Sequence, residues 1–498
     1  MIQENERNVN LRSTRYNRLM RLFILGCSLL IVLFFLSARS TLDPDFGWHL
    51  RMGEIILKSG IPQSDPFTYS MSSYPFVDHE WFTDSFIAKI YPVIGVEWLA
   101  IVFVFVALFA VGIQWFGMKK QWSAVPLLLG GLCLVPYLGI RPQVLSWLFG
   151  SLLFVLIFNK TYWLRFRWGV PLLFLLWANM HGAFALGSIV LFITLFSQSI
   201  AARKVFFIDL FIFIFCISST FLTPYHFAIW REVWLSLSDA SLRWSIQEWL
   251  PALATFNVGF VFLFPLSVSL LIRYRSRFSP TELALFGTLF FFALSSSRNI
   301  PFFALCAIPI TAKGIGLLYD EIKKITVSRK RFVVSYRVLL SVVVGIILLQ
   351  CFFVLPTIFR SSTTLYPANA VTFLKEHPSA GNVFAEYNWG GYLIWQYPEK
   401  KVFIDGRMPS WKQASTKEES RNAFSEYQQF FTDMTTIPAF LNTYHIDTVL
   451  LAAPQNQSGL VRLVNALGYR PVAVSKALSD TGFHRVYSDD QAVVYRKK

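Results

Sequence analysis

Of the 498 residues, 54% are hydrophobic, 17% are aromatic and only 15% are charged. Soluble proteins average about 25% charged residues, so this composition excludes an ordinary soluble protein and predicts a polytopic membrane protein. The net charge of +16 lies mostly in short clusters between apolar runs, without the basic stripe of a nucleic-acid-binding fold. No nucleic-acid partner is therefore expected.

Repeated apolar runs predict an α-helical membrane domain of about eleven transmembrane helices within residues 22–359. The predicted spans are 22–38, 97–117, 123–139, 142–159, 169–180, 183–200, 204–222, 254–273, 281–297, 300–318 and 337–358. Every second connection between them carries a basic cluster, as the positive-inside rule requires. This pattern predicts a multi-pass protein of the plasma or inner membrane, surrounded by membrane lipids. Residues 1–21 would be a cytoplasmic N-terminus, and an uncleaved first helix is favoured over a signal peptide.

The same orientation places residues 39–96, a first external loop, and residues 360–498 on the extracytoplasmic side. In the C-terminal segment, apolar runs of strand length alternate with helical patterns, which predicts a small α/β domain. The predicted strands are Asn382–Tyr387, Lys401–Ile404, Thr448–Ala453 and Ala492–Tyr495, and the predicted helices are Ala368–His377, Glu419–Thr432 and Gly459–Leu467.

The first external loop mixes acids with aromatic residues. Asp43 and Asp45 flank one proline, and such a pair binds a divalent cation, Mg²⁺ or Mn²⁺, or supplies a general base; a helix-capping turn is the alternative. Trp48-His49 and Asp78-His79-Glu80 add carboxylates beside aromatic rings, the combination that a sugar site uses. Interfacial anchoring explains the tryptophan equally well, and the HExxH spacing of a zinc site is absent.

Further polar residues lie at the outer ends of the predicted spans. Arg141 and Arg298 would clamp a phosphate, or else pair with a loop carboxylate or with lipid headgroups, and Glu248 lies on the same outer side. His181 lies in a Trp-Ala-Asn-Met-His-Gly run between two spans, which favours a helix break lining a cavity. Ionisable groups within or beside a membrane usually face a cavity or a partner. The residues named here are all predicted on the outer side of the membrane.

Two motifs of the C-terminal segment resemble corners between a strand and a turn. They are Tyr387–Tyr392, which contains Asn388, and Phe403–Arg407. Ordinary turn chemistry also explains them. No P-loop, Rossmann fingerprint, serine-hydrolase elbow or kinase motif set is present, which excludes the common nucleotide-driven and serine-hydrolase activities.

The motifs DPDFGWHL, RPQ, WANMHG, EWLP, RNIP and YNWGGYLIW…VFIDGR together resemble a bacterial branch of the GT-C-type membrane glycosyltransferases, a class that includes oligosaccharyltransferases and protein mannosyltransferases. The resemblance implies transfer of a sugar from a polyprenyl-phosphate-linked donor to a glycan, lipid or protein acceptor on the external face. Enzymes of this class have acidic residues near the start of the first external loop. The resemblance implies that the corresponding residue here is Asp43 or Asp45, and Asp45 is favoured because it lies closer to the aromatic cluster. Asn388 and Gly390 depart from the WWDYG-type element of oligosaccharyltransferases, so recognition of a peptide sequon is not carried over.

On this hypothesis the catalytic candidates are Asp45, Asp43, Asp78 and Glu80. The candidates for binding the donor phosphate or substrate are His49, Arg141, His181, Arg298, Trp48, His79, Glu248 and Asn388. Three alternatives remain: an oligosaccharide ligase of the oligosaccharyltransferase type, a non-catalytic transporter of lipid-linked glycans, and a scaffolding subunit. The absence of matching halves argues against the transporter.

Overall fold

The computed structural model describes residues 2–40, 42–118, 122–238, 246–324, 326–359, 365–412, 422–453 and 471–498. The chain forms two compact units. Unit 1 comprises Met1–Ser40, Glu97–Phe227 and Arg243–Arg360, and unit 2 comprises Thr41–Val96, Ala228–Leu242 and Ser361–Lys498. The first-loop segment therefore folds with the C-terminal segment, although nearly the whole predicted membrane domain separates them in sequence.

The elements follow in chain order. The helices are α1 (Ile2–Ser40), α2 (Phe46–Ser59), α3 (Trp81–Ile113), α4 (Ala124–Leu134), α5 (Gln143–Phe158), α6 (Lys160–Phe166), α7 (Val170–Met180), α8 (Phe184–Ala202), α9 (Phe207–Ser219), α10 (Ala228–Ser238), α11 (Val258–Arg273), α12 (Pro280–Ser295), α13 (Ile300–Ile322), α14 (Thr326–Val354), α15 (Ala368–Glu376), α16 (Gly390–Gln396), α17 (Ala423–Thr432), α18 (Ile437–Thr443) and α19 (Pro471–Asp480). The strands are β1 (Asn382–Ala385), β2 (Ile446–Ala452), β3 (Phe483–Ser488) and β4 (Ala492–Lys497).

The apolar runs predicted as membrane spans all fold as helices. Over the described ranges, five helices are long and apolar enough to cross a membrane, namely Arg18–Ser40, Trp81–Gly117, Phe184–Ala202, Ser297–Ile322 and Lys330–Thr357. The pair Gln143–Phe158 and Lys160–Met180, bent by 112°, would make a sixth span. Shorter apolar helices cover Ala124–Tyr137, Phe207–Ser219, Val258–Arg273 and Pro280–Ser295. The protein is a multi-pass membrane protein.

Helix α13 forms the centre of unit 1, since it is buried almost without interruption from Ile300 to Gly314. The ring of Phe303 packs on Phe260 and Phe286, with ring centroids 5.4 and 5.2 Å apart. Helices in a membrane associate through such close packing and through interhelical hydrogen bonds. One such bond joins the hydroxyls of Ser267 and Thr311, 2.6 Å apart.

Unit 2 contains a four-stranded sheet of order β1-β2-β4-β3. Strands β1 and β2 are parallel, and the other two pairs are antiparallel. The sheet confirms three predicted strands, but the predicted strand Lys401–Ile404 is wrong, because only an isolated bridge joins Val402 to Thr68. Its apolar residues are buried by ring packing instead: the Phe403 ring lies 5.4 Å from that of Phe384.

Strand β3, Phe483–Ser488, was not predicted from the sequence. It is an edge strand with mostly exposed side chains, so its sequence lacks the apolar pattern of a core strand. The predicted helices at Ala368–His377 and Glu419–Thr432 correspond to α15 and α17. The predicted helix Gly459–Leu467 lies outside the described residues.

Candidate functional site

The first-loop acids lie at the beginning of helix α2. Asp43 is buried, and its Oδ1 accepts a hydrogen bond of 2.9 Å from the backbone N–H of Asp45. Asp45 itself precedes the first helical residue and makes no side-chain capping bond. The side chain of Asp43 therefore stabilises the turn before α2, whereas the carboxylate of Asp45 does not cap the helix.

The start of α2 is held by the glycine motif of helix α16. A Cβ atom at Gly391 would overlap the carbonyl oxygen of Pro44, and a Cβ at Gly47 would overlap the carbonyl of Gly391. Only glycine permits this approach of two backbones. The Tyr387–Tyr392 motif, which ordinary turn chemistry also explained, thus packs directly against the Asp-Pro-Asp segment within unit 2.

A buried histidine joins α2 to the first turn of α3. His49 Nδ1 lies 2.7 Å from Oδ1 of Asp84 and 3.6 Å from Oε2 of Glu80. His79 Nε2 lies 3.6 Å from the other Glu80 oxygen, but the His79 side chain is 35% exposed. The structure therefore brings together three predicted residues, and it adds Asp84, which the sequence analysis did not select. Its spacing of four residues from Glu80, on one helix face, was the available signal.

Two carboxyl groups of this cluster, Asp78 and Asp84, lie close together. Asp78 and Asp84 lie within hydrogen-bonding reach of each other, and in the described residues neither Oδ2 atom has a donor. Burial raises the pKa of Asp78 well above its usual range, and the negative charge of Asp84 adds to the increase. Because two adjacent buried carboxylates cannot both ionise at low cost, the protonated form of Asp78 is favoured.

Glu80 is adjusted to titrate near neutrality. Burial raises its pKa to about 8; His49 opposes the shift, while Asp84, Asp78 and Asp45 add to it. A carboxyl group with a pKa near the ambient pH exchanges protons efficiently. The arrangement can therefore accept and return a proton beside Asp45.

A buried arginine, absent from the sequence prediction, borders the acids. Nε and Nη2 of Arg407 donate to the two oxygens of Asp405, at 2.8 and 2.6 Å, and Nη2 also lies 2.8 Å from Oδ1 of Asp65. Burial alone would lower the pKa of Arg407, but the two carboxylates raise it above its usual value, so the guanidinium is charged. The Phe403–Arg407 motif is visible in the sequence, but no neighbouring residue indicates that Arg407 pairs with Asp65.

Unit 1 contains a second cluster of polar side chains, which belong to the motifs RPQ, EWLP and RNIP. Arg141 forms an ion pair with Glu248, and the Arg298 guanidinium lies 4.7 Å from the ring centroid of Trp249. Burial would raise the pKa of Glu248, but Arg141 and Arg298 outweigh it and hold that pKa below its usual value. The predicted alternative of pairing with a loop carboxylate is thus observed for Arg141, and a role toward phosphate stays a prediction.

His181 lies at the predicted break, between the end of α7 and the beginning of α8. Its Nδ1 lies 2.8 Å from Oγ of Ser146 and accepts a 3.1 Å bond from the backbone N–H of Ala183. Ser146 Oγ in turn accepts from Trp177 Nε1 at 2.7 Å. The imidazole is buried and its Nδ1 acts as an acceptor, and a role of His181 toward substrate stays a prediction.

The remaining predictions concern Asn388, Trp48 and a metal. Asn388 is exposed in a short 3-10 turn, and Trp48 is buried with its ring 3.6 Å from that of His49. Across the described ranges, no group of three or more His, Cys, Asp or Glu side chains is arranged to hold a metal ion. The Mg²⁺ or Mn²⁺ site at Asp43 and Asp45 stays a prediction.

Apolar helices in unit 1 and a small sheet in unit 2 define a multi-pass membrane protein with an α/β unit, and its fold is the GT-C fold. The chain is similar in structure to the archaeal oligosaccharyltransferase AglB from Archaeoglobus fulgidus, with a TM-score of 0.59, 11% identity, and coverage of 95% of this chain and 74% of AglB. It is also similar to ArnT from Cupriavidus metallidurans, with a TM-score of 0.51, 13% identity, and coverage of 95% and 97%. No protein-family model matches the chain, and the search of curated proteins found no match.

Proposed function

We propose that the protein is a membrane glycosyltransferase that moves a sugar from a polyprenyl-phosphate-linked donor to an acceptor on the extracytoplasmic face, in glycosylation of the cell envelope. The observation that carries the proposal is the buried acid cluster of unit 2, which lies beside Asp45 at the start of the first loop in a chain with the GT-C fold. A donor embedded in the membrane also accounts for the absence of a nucleotide-binding motif.

In the proposed step, a carboxylate oxygen of Asp45 takes the proton of an acceptor hydroxyl. The acceptor oxygen forms a bond to the anomeric carbon of the donor sugar. The bond from that carbon to the phosphate oxygen breaks, and its electron pair leaves with the polyprenyl phosphate. General-base assistance of this kind contributes about 10²- to 10⁴-fold to a rate.

Glu80 and His49 support this step as a proton store. His49 contacts both Glu80 and Asp84, and Glu80 has a pKa of about 8. A proton collected by Asp45 can therefore pass to a neighbouring group that titrates at ambient pH. The raised pKa of Asp78 limits the negative charge that the cluster accumulates.

Asp43 and Asp45 could bind a divalent cation only as part of its ligand set. Mg²⁺ commonly binds through one or two carboxylates, with waters and substrate phosphates completing its shell, and these two residues supply only such a partial set. One oxygen of Asp43 is already occupied by the backbone N–H of Asp45. When bound, the ion would neutralise charge on the donor phosphate.

Arg141, Arg298 and His181, all in unit 1, are the proposed residues for binding a lipid phosphate, since positive charge stabilises phosphate oxygens. The AglB structure in this comparison was solved with dolichol-phosphate and an inhibitory peptide. The dolichol-phosphate bound there supports a lipid phosphate as the kind of donor carrier that we propose for this chain. The acceptor, whether a glycan, a lipid or a protein, is left open by the proposal.

Transfer of a whole oligosaccharide is the second candidate, and the likeness to AglB favours it. The chemistry at Asp45 would be the same. The mass of the product distinguishes the two, because one sugar residue or a complete block would be added to the acceptor.

The proposal is tested by envelope glycan mass spectrometry in the native host lacking this protein, complemented with wild type, Asp45→Asn or Asp490→Asn at matched membrane abundance. Asp490 is an exposed acid of unit 2 that lies in a turn between strands, and its variant is the control. We expect wild type and Asp490→Asn to restore a glycan that Asp45→Asn does not restore. Full restoration by Asp45→Asn would overturn the assignment of the general base.

A further inference from the structure

The Asp405-Gly406-Arg407 turn has no role in the step proposed above, yet it is held by several buried polar contacts. Arg407 and its two carboxylate partners are almost completely buried, with side-chain exposures of 3%, 0% and 0%. Asp405 also accepts the backbone N–H of Arg407 at 3.0 Å. Two ends of the turn are thus tied together by one side chain.

Aromatic rings enclose the guanidinium on the remaining sides. Its central carbon lies 5.6 Å from the ring centroid of Trp48, 4.9 Å from Phe67, 4.9 Å from Phe76 and 5.3 Å from Trp411. Buried ion groups of this kind are often replaceable by apolar residues without loss of stability. The triad is therefore poorly explained by stability alone.

Gly406, in the middle of the turn, touches Asp45. The three nearest heavy atoms to a Cβ built at Gly406 all belong to the Asp45 carboxylate; Cγ would lie 2.9 Å away and Oδ2 3.2 Å away, and Oδ1 would overlap it. The φ angle of Gly406 is not positive, so the backbone itself accepts alanine. The missing side chain at this position is the space that the carboxylate occupies.

We propose that the Asp405–Arg407 turn is a positioning element for Asp45: Arg407 anchors the turn through Asp65 and Asp405, and Gly406 fixes where the carboxylate of Asp45 lies. The inference rests on the proposed function only where it concerns the effect of the turn on transfer activity. The contact itself is a property of the fold, and it can be tested without a substrate.

The first test is a thermal unfolding cycle on the full-length protein in detergent. Gly406→Ala should lower the Tm of wild type slightly, because its Cβ collides with the Asp45 carboxylate, which has to move aside. In the Asp45→Ala background the collision partner is absent, and Gly406→Ala should leave the Tm unchanged. Gly287→Ala, which meets nothing within 4 Å, is the control in both backgrounds. An equal loss of Tm in both backgrounds would overturn the inference.

The second test measures transfer kinetics. A displacement of about 1 Å at a reacting group can cost about a hundredfold in rate, so Gly406→Ala should lower kcat strongly and change the KM for the donor little. Unchanged kcat in Gly406→Ala, with Asp45→Asn inactive, would overturn positioning and leave the proposed function intact. Full activity of Asp45→Asn would instead refute the proposed function, whatever the unfolding cycle shows.

The anchoring role of Arg407 is tested with variants that remove the charges of Arg407, Asp65 and Asp405 together. Arg407→Met alone leaves two buried carboxylates without an opposite charge and should lower the Tm sharply. The combination Arg407→Met, Asp65→Asn and Asp405→Asn should recover most of that Tm while kcat stays low. Arg407→Lys, which keeps the charge but loses the two-pronged geometry, should also have a low kcat. Wild-type kcat in the neutral combination would show that Arg407 does not anchor the turn.

Discussion

His49 Nδ1 lies 2.7 Å from Oδ1 of Asp84, and both side chains are buried. His49 belongs to α2, which begins directly after the Asp-Pro-Asp segment, and Asp84 belongs to the first turn of α3. This contact therefore connects the proposed general base with the cluster of Asp78, Glu80 and Asp84. It also places the imidazole where it can stabilise negative charge on two carboxylates.

Replacing His49 should destabilise the protein much more than replacing its neighbour His79. His49→Ala removes the partner of a fully buried carboxylate, and breaking such a pair costs about 3–5 kcal/mol. His79 is partly exposed, so His79→Ala should cost less than about 1 kcal/mol. Thermal or denaturant unfolding in detergent measures both, and equal losses would contradict the buried pairing of His49.

The titration of Glu80 should be visible in the stability of the protein. Its pKa is raised from 4.5 to about 8, so the folded protein keeps a proton that the unfolded chain releases. That stabilisation is fully present below the unfolded pKa and is lost as the pH rises through about 8.

Glu80→Gln removes this titration, and the free energy of unfolding should then fall less steeply with pH, by up to about 1.4 kcal/mol per pH unit across the window. A slope remains in the variant, because the pKa of Asp78 is raised as well. Glu376→Gln, at an exposed acid, should follow wild type. Parallel curves for wild type and Glu80→Gln would refute the buried proton.

Alanine at Gly391 should disrupt the start of α2. Its Cβ would overlap the carbonyl oxygen of Pro44, and because the obstacle is backbone, relief requires α2 and α16 to separate. We expect a Tm drop together with loss of transfer activity. Gly345→Ala, where nothing lies within 4 Å, should be neutral or slightly stabilising. An unchanged Tm in Gly391→Ala would contradict the close packing.

Variants at Glu248 and Arg141 should change the affinity for the donor in opposite directions. Glu248 lowers the positive charge available from Arg141 and Arg298, whose charges act on it. If these arginines bind the donor phosphate, Glu248→Gln lowers the KM for the donor several-fold and Arg141→Gln raises it by about tenfold or more. Steady-state kinetics measure both. Arg273→Gln, at an exposed ion pair, is the control, and shifts of the same sign would contradict the phosphate role.

Elements made of local patterns were predictable from the sequence. Apolar runs long enough for membrane helices folded as helices, because a segment in lipid must satisfy its backbone hydrogen bonds internally. The acids of the first loop, Asp43, Asp45, Asp78 and Glu80, were recognisable because ionisable residues next to apolar runs need a partner or a cavity. The helix break at His181 followed from the same reasoning.

Contacts between distant segments were decided only by the tertiary structure. Lys401–Ile404 has the apolar pattern of a strand, yet burial by aromatic rings produces the same pattern without a ladder. Arg407 and Asp65 are separated by most of the chain, and no local spacing reveals that they form one buried triad. The close approach of Gly406 to the Asp45 carboxylate depends on two segments that are distant in sequence meeting in space. Local patterns along the chain indicate which segments form apolar helices and which loop is acidic, whereas the partners of the buried carboxylates depend on segments that meet only in the folded protein.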